Sequence, residues 1–115
     1  MTNMFLLKLS GEIFDPCCEL TQSGKKLLKL LKKILQEKKL LSLGIVIGGG
    51  NRVRGKNFKK KEINYADELG RLSSIMNAVT LKKELEKIDI SSKVFTHINM
   101  YENYNIEYVK EYLNN

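Results

Sequence analysis

Apolar residues in this chain form short continuous runs that alternate with longer stretches in which they recur every three or four positions, the patterns of buried strands and amphipathic helices. Met4 to Leu9 is apolar apart from Lys8 and leads into Ser10-Gly11, which predicts a buried first strand ending in a turn. From Thr21 to Lys39, Leu27, Leu30, Leu31, Ile34 and Leu35 recur at helical spacing, with Lys25, Lys26, Lys29, Lys32 and Lys33 among them. This predicts an amphipathic helix whose lysines face water. Leu43 to Ile47 reads as a second, short strand, and the basic stretch Lys56 to Lys61 as a surface loop. A second helix is expected from Tyr65 to Lys87, buried along Ala66, Leu69, Leu72, Met76, Val79 and Leu85. Lys93 to Ile98 predicts a third strand, and Ile106, Val109 and Leu113 a short last helix.

The predicted order is βαβαβα, an α/β class in which a parallel sheet carries helices on both faces and is joined by right-handed crossovers. Three strands leave two open edges, and a crossover helix normally leads into another strand. The chain therefore reads as part of a larger sheet.

At 115 residues and 43% apolar composition, the sequence suits one globular domain with a modest core. A formal charge of +7 raises the question of a polyanionic partner. Of its 20 basic residues only Arg52, Arg54 and Arg71 are arginine, and no nucleic-acid recognition motif accompanies the lysines, so no nucleic-acid partner is expected. Cys17 and Cys18 are adjacent and the single histidine is His97, a set that assembles neither a disulfide framework nor a zinc site. A reducing, cytoplasmic setting fits this cysteine usage, and the run Met4 to Leu7 is too short for a signal sequence or a membrane span.

Candidate chemistry concentrates after the second strand, where Ile45-Val46-Ile47 delivers Gly48-Gly49-Gly50, then Asn51-Arg52-Val53-Arg54-Gly55. Glycines permit positive φ and, lacking Cβ, let backbone amides approach phosphate oxygens; a plain flexible turn is the alternative. The dinucleotide pattern G-x-G-x-x-G fails at Val53. Gly50 to Lys56 matches the Walker spacing, but Asn57 stands where a hydroxyl should hold magnesium. Lys8 either snorkels from the strand end or meets a negative group at the carboxyl end of the sheet. Asp67, in the first turn of the second helix, is explained by the helix dipole alone, and His97 reads as a bystander.

Three stretches taken together carry a resemblance: Lys8-Leu9-Ser10-Gly11-Glu12; Val46-Ile47-Gly48-Gly49-Gly50-Asn51 with Arg54-Gly55; and Asp67-Glu68-Leu69-Gly70-Arg71-Leu72 leading to Met76-Asn77-Ala78. In this order and spacing the chain, from about Phe5 to about Ile98, resembles the N-terminal half of the bacterial uridylate (UMP) kinases, members of the amino acid kinase superfamily. The resemblance implies a cytoplasmic nucleoside monophosphate kinase of pyrimidine biosynthesis. It would transfer the γ-phosphoryl group of ATP, with Mg2+, to UMP, giving ADP and UDP. It implies that Lys8 neutralises charge on the transferring group and that ATP is bound by Lys8, Leu9, Ser10, Gly11, Gly50 and Arg54. Gly49 and Asp67 would contact UMP, Asp67 at the ribose. No protein metal site and no membrane partner are implied; a homo-oligomer, hexameric in the family, or a separate C-terminal half is.

Relatives are longer, and the part following this region carries the rest of the UMP site and the ATP base pocket. Residues 1–115 are thus expected to be the N-terminal, phosphate-binding part of the domain, with the C-terminal half missing and the isolated chain inactive. The loop Ile13 to Glu19, with Cys17-Cys18, lacks the glycine-containing segment of many relatives, so GTP activation is not implied. Two other readings remain open: a non-catalytic phosphate-binding or assembly remnant, and another amino acid kinase.

Overall fold

A computed structural model of the chain describes residues 3–37, 41–51 and 59–96. Strand β1, Asn3–Leu9, and strand β2, Leu41–Ile47, are joined by helix α1, Gln22–Glu37, and helix α2, Ile63–Lys87, follows the second strand. The two strands pair in parallel, with Phe5 opposite Leu43, Leu7 opposite Ile45 and Leu9 opposite Ile47. The α/β class and the parallel connection through a helix are as the sequence predicts.

Alternation decides what the sheet buries. Leu9 and Ile47 are buried, Leu7, Leu43 and Ile45 are half-buried, and all five belong to one core with Ile13, Phe14, Leu28, Leu31, Leu81 and Leu85. The opposite face carries Met4, Leu6, Lys8 and Val46, with Met4 83% and Leu6 75% exposed. Helices on both faces were expected; among the described residues they cover one.

Helix α1 starts where Thr21 Oγ1 accepts the Gly24 N–H at 3.1 Å, and the same hydroxyl donates to the Ile13 carbonyl at 3.0 Å. This cap satisfies one of the amides at the helix start and ties the helix to the turn after β1. Gly24 is buried and packs so closely on the Ile13 carbonyl that a Cβ there would collide with it. Leu28 and Leu31 then face the core, while Lys25, Lys26, Lys29 and Lys33 stand exposed, the solvated basic face foreseen from their spacing.

Helix α2 is rotated relative to the expected stripe. Its buried residues are Ser73, Asn77, Leu81 and Leu85, four apart, whereas Leu69, Leu72 and Met76 are 44%, 49% and 51% exposed. The helix is apolar on two sides, so periodicity alone could not select the buried one. Two of the four buried positions are polar because they serve the loop that follows β2.

The segment after α2 turns at Asp89, which adopts a positive φ of 62°, and Ile90 N–H closes the helix by donating to the Leu85 carbonyl at 2.9 Å. Residues 91–96 then follow without joining the sheet, where the third strand was expected to begin. They and β2 line one open cleft of about 350 Å³, with Ala78, Leu81 and Leu85 also in its wall. Residues 91–96 form no strand beside β2, although the half-buried Ser92, Val94 and Thr96 alternate with the exposed Lys93 and Phe95. The remainder of that predicted strand, including His97, and the predicted last helix lie outside the described residues.

The phase of α2 sets a stability contrast. Leu81→Ala is expected to cost about 2–5 kcal/mol as a buried truncation, and Leu72→Ala less than about 1 kcal/mol. Urea denaturation of both variants checks this, and equal losses would place the helix in the other phase.

Candidate phosphate site

The carboxyl ends of β1 and β2 release two turns that meet. Ser10 ends β1 by capping the short turn Gly11–Ile13, its Oγ accepting the Glu12 N–H at 3.1 Å. Gly48 N–H donates to the Leu9 carbonyl at 3.1 Å, continuing the parallel ladder one step past β2. Gly11 packs directly on this loop: a Cβ there would collide with the Gly48 carbonyl and lie 2.9 Å from Asn77 Nδ2 and 3.0 Å from Asn51 Oδ1. A Cβ on Gly49 would come within 2.7 Å of Ser73 Cβ and 2.9 Å of the Gly70 carbonyl. No described glycine has a positive φ. The expectation that left-handed backbone contributes to the glycine requirement is therefore corrected, since what Gly11 and Gly49 supply is absence of bulk at close approaches.

Side chains of α2 hold the glycine loop from beneath. Asn77, fully buried, donates through Nδ2 to the Gly48 carbonyl at 2.8 Å and to Asn51 Oδ1 at 2.7 Å. Asn51 Nδ2 donates to Asn77 Oδ1 at 3.4 Å and to the Asp15 carbonyl at 3.2 Å. Ser73 Oγ donates to the Gly49 carbonyl at 2.9 Å. Asp15 in turn organises its own loop, its Oδ1 accepting the N–H groups of Cys17 at 2.8 Å and Glu19 at 3.0 Å, with Cys18 at a positive φ of 68°. These bonds tie the glycine loop to α2 and to the 15–19 loop.

An open cleft of about 380 Å³ lies between the glycine loop and α2, lined by Gly49, Gly50, Ala66, Asp67, Gly70, Arg71 and Ser74. Of the residues expected to form the site, Gly49, Gly50 and Asp67 meet here, and Gly11 packs behind them. Asp67 lies beyond the first helical turn, because α2 starts at Ile63, so the dipole explanation for it weakens. Lys8, the penultimate residue of β1, is exposed on the open sheet face and has no ion pair among the described residues. Leu9 is buried, which leaves its backbone as the only part able to meet a ligand. Arg54 lies outside the described residues, as does the rest of the Walker-like stretch after Asn51.

Sequence reasoning assigned no role to Asn51, Ser73 or Asn77, and Arg71 entered only as part of a motif. A signal existed: Ser73 and Asn77 are four apart on a helix whose next positions in that register are Leu81 and Leu85, so two polar residues share a face with two core leucines.

Parallel strands joined by a helix, with a glycine-rich loop at their carboxyl ends, place the chain among the α/β proteins built on a parallel sheet. No family model matches the chain. It is 36% identical to uridylate kinase from Mycoplasmopsis pulmonis over 104 residues, covering 87% of this chain and 43% of that protein. With uridylate kinase from Mycoplasmopsis synoviae the identity is 36% over 124 residues, covering 96% of this chain and 49% of the relative. Its fold matches the crystal structure of UMP kinase from Ureaplasma parvum with a TM-score of 0.64 at 23% identity, over 99% of this chain and 52% of that one. The chain is similar to the N-terminal portion of uridylate kinases, and it spans about half the length of the curated relatives it matches.

The packing of Gly11 on the glycine loop gives a direct check. Gly11→Ala is expected to destabilise by about 1–3 kcal/mol through overpacking, while Gly48→Ala, whose Cβ would find its nearest neighbour at 3.9 Å, stays within about 1 kcal/mol. Chemical denaturation of the two variants measures the difference, and a tolerated Gly11→Ala would mean that the two turns do not touch.

Proposed function

We propose that this chain provides the phosphate-binding part of a uridylate kinase, the enzyme that passes the γ-phosphoryl group of ATP to UMP to give ADP and UDP. The observation that supports it most is the meeting of Gly49, Gly50 and Asp67 around one cleft at the end of the parallel strands, in a chain similar to uridylate kinases over most of its length. Phosphoryl transfer needs alignment and positive charge on the equatorial oxygens more than it needs covalent chemistry. In this reading Lys8 supplies that charge, the turn at Ser10 and Gly11 and the loop at Gly50 face the phosphates of ATP, and Arg54 clamps them. Ser10 Oγ accepts a local N–H, and its own hydroxyl hydrogen stays available to donate. Gly49 and Asp67 take the UMP side, with the Asp67 carboxylate accepting from ribose hydroxyls.

Among the described residues no three His, Cys, Asp or Glu side chains come together as a metal site. In this scheme magnesium enters bound to the phosphates of ATP, as part of the substrate. Turnover belongs to the assembled enzyme, because the part of the relatives beyond this chain's match is as long as the match itself.

Calorimetry with UMP is expected to show binding, and saturating UMP to raise the melting temperature. Asp67→Ala should weaken that binding about tenfold or more, the loss of a charge-assisted hydrogen bond. Absence of both heat and a melting shift would count against the site. Incubated alone with MgATP and UMP, the chain is expected to form UDP only at background rate; steady turnover would show that it carries a whole active centre.

A further inference from the structure

Two peptide groups of the glycine loop are fixed by the same helix. The Gly48 carbonyl accepts from Asn77 at 2.8 Å and the Gly49 carbonyl accepts from Ser73 at 2.9 Å. All described peptide bonds are trans, and in a trans peptide the C=O and the following N–H point in opposite directions. With both carbonyls drawn toward α2, the N–H groups of Gly49 and Gly50 are turned away from it. Neither amide donates to a backbone or side-chain acceptor among the described residues.

Two successive amides facing the same way, free of internal partners, form a concave donor pair suited to the oxygens of a phosphate. We propose that Asn77 and Ser73 are positioning residues that hold the glycine loop in this posture, so that the Gly49 and Gly50 amides receive a phosphate group. The inference rests on the phosphate reading of the cleft, and adds to it what sets the loop's shape.

Burial makes the arrangement firm. Asn77 is 0% and Ser73 2% exposed, so water does not compete for their donors, and leaving either buried group unpaired is costly. Asn77 also completes a two-point amide pair with Asn51, whose remaining N–H reaches the Asp15 carbonyl. The loop is thus clamped from α2 and from the 15–19 loop at once. Rotation of the Gly48–Gly49 peptide would leave one of the two Asn77 N–H groups without an acceptor. The same rotation would turn the Gly49 amide inward.

The test follows the Gly49 and Gly50 amide resonances by nitrogen-15 NMR during separate titrations with inorganic phosphate and with UMP. In the native chain both resonances are expected to shift saturably. Ser73→Ala should lower phosphate affinity about tenfold in the folded protein, and Asn77→Asp, which removes the donors to Gly48, should lower it further. Leu81→Ala, destabilised through the same helix but not touching the loop, serves as the control and should bind phosphate as the native chain does. If Ser73→Ala also binds as the native chain does, the positioning role is overturned, whether or not Asn77→Asp folds. If neither ligand moves the two resonances, the donor pair is not an anion receptor and the inference falls. Shifts with phosphate but not with UMP, lost in Ser73→Ala, would uphold the positioning role while overturning the uridylate reading.

Discussion

The bond on which most of this structure depends runs from the buried Asn77 amide to the Gly48 carbonyl. An asparagine inside a helix is a poor helix former, and one at zero exposure would be costly if unpaired. Here both its N–H groups and its carbonyl have partners, and those partners belong to the glycine loop and to Asn51. Removing the loop from the helix would strand Asn77, and removing Asn77 would strand the loop carbonyl. The phase of α2 follows from this pairing, since keeping Ser73 and Asn77 under the loop forces Leu81 and Leu85 into the core and leaves Leu69, Leu72 and Met76 outside.

This explains which parts of the fold were legible in the sequence. The extents of β1, α1 and β2 came out nearly as read, but of the expected α1 stripe only Leu31 is fully buried, with Leu28 beside it, while Leu30 and Ile34 are 53% and 37% exposed. For α2 the extent was legible and the face was not. Hydrophobic periodicity rewards the stripe through Leu69, Leu72 and Met76, whereas the stripe actually buried is half polar and is chosen by hydrogen bonds to a loop some twenty-five residues upstream. No local pattern encodes a bond across that separation. Ordered motifs located the glycine loop and Asp67, because those residues face the cleft. Residues that act from beneath the loop gave only the faint signal of polarity in a core register.

Glycine placement carries a related lesson about close approach. Gly11 and Gly49 are required by the carbonyls and side chains packed against them, with φ in the ordinary negative range. A site built on such contacts is stiff, since the space a Cβ would need is already occupied by groups held in hydrogen bonds. Preorganised donors of this kind help phosphoryl transfer because they do not have to reorient as charge moves.

Lys8 stands in a different setting. It leaves β1 on the face shared with Met4, Leu6 and Val46, all exposed, so its charge is bathed in water. Two unit charges 4 Å apart attract by only about 1 kcal/mol in that medium, against about 4 kcal/mol at the lower effective dielectric of a covered protein surface. A parallel sheet is ordinarily covered on both faces, and the curated relatives contain about as much chain again as this one matches. Any element seated on Met4, Leu6 and Val46 would bury apolar surface and, by the same displacement of water, strengthen the attraction between Lys8 and an anion beside it. In the proposed kinase, covering that face and strengthening the proposed contact of Lys8 with phosphate would be one physical event.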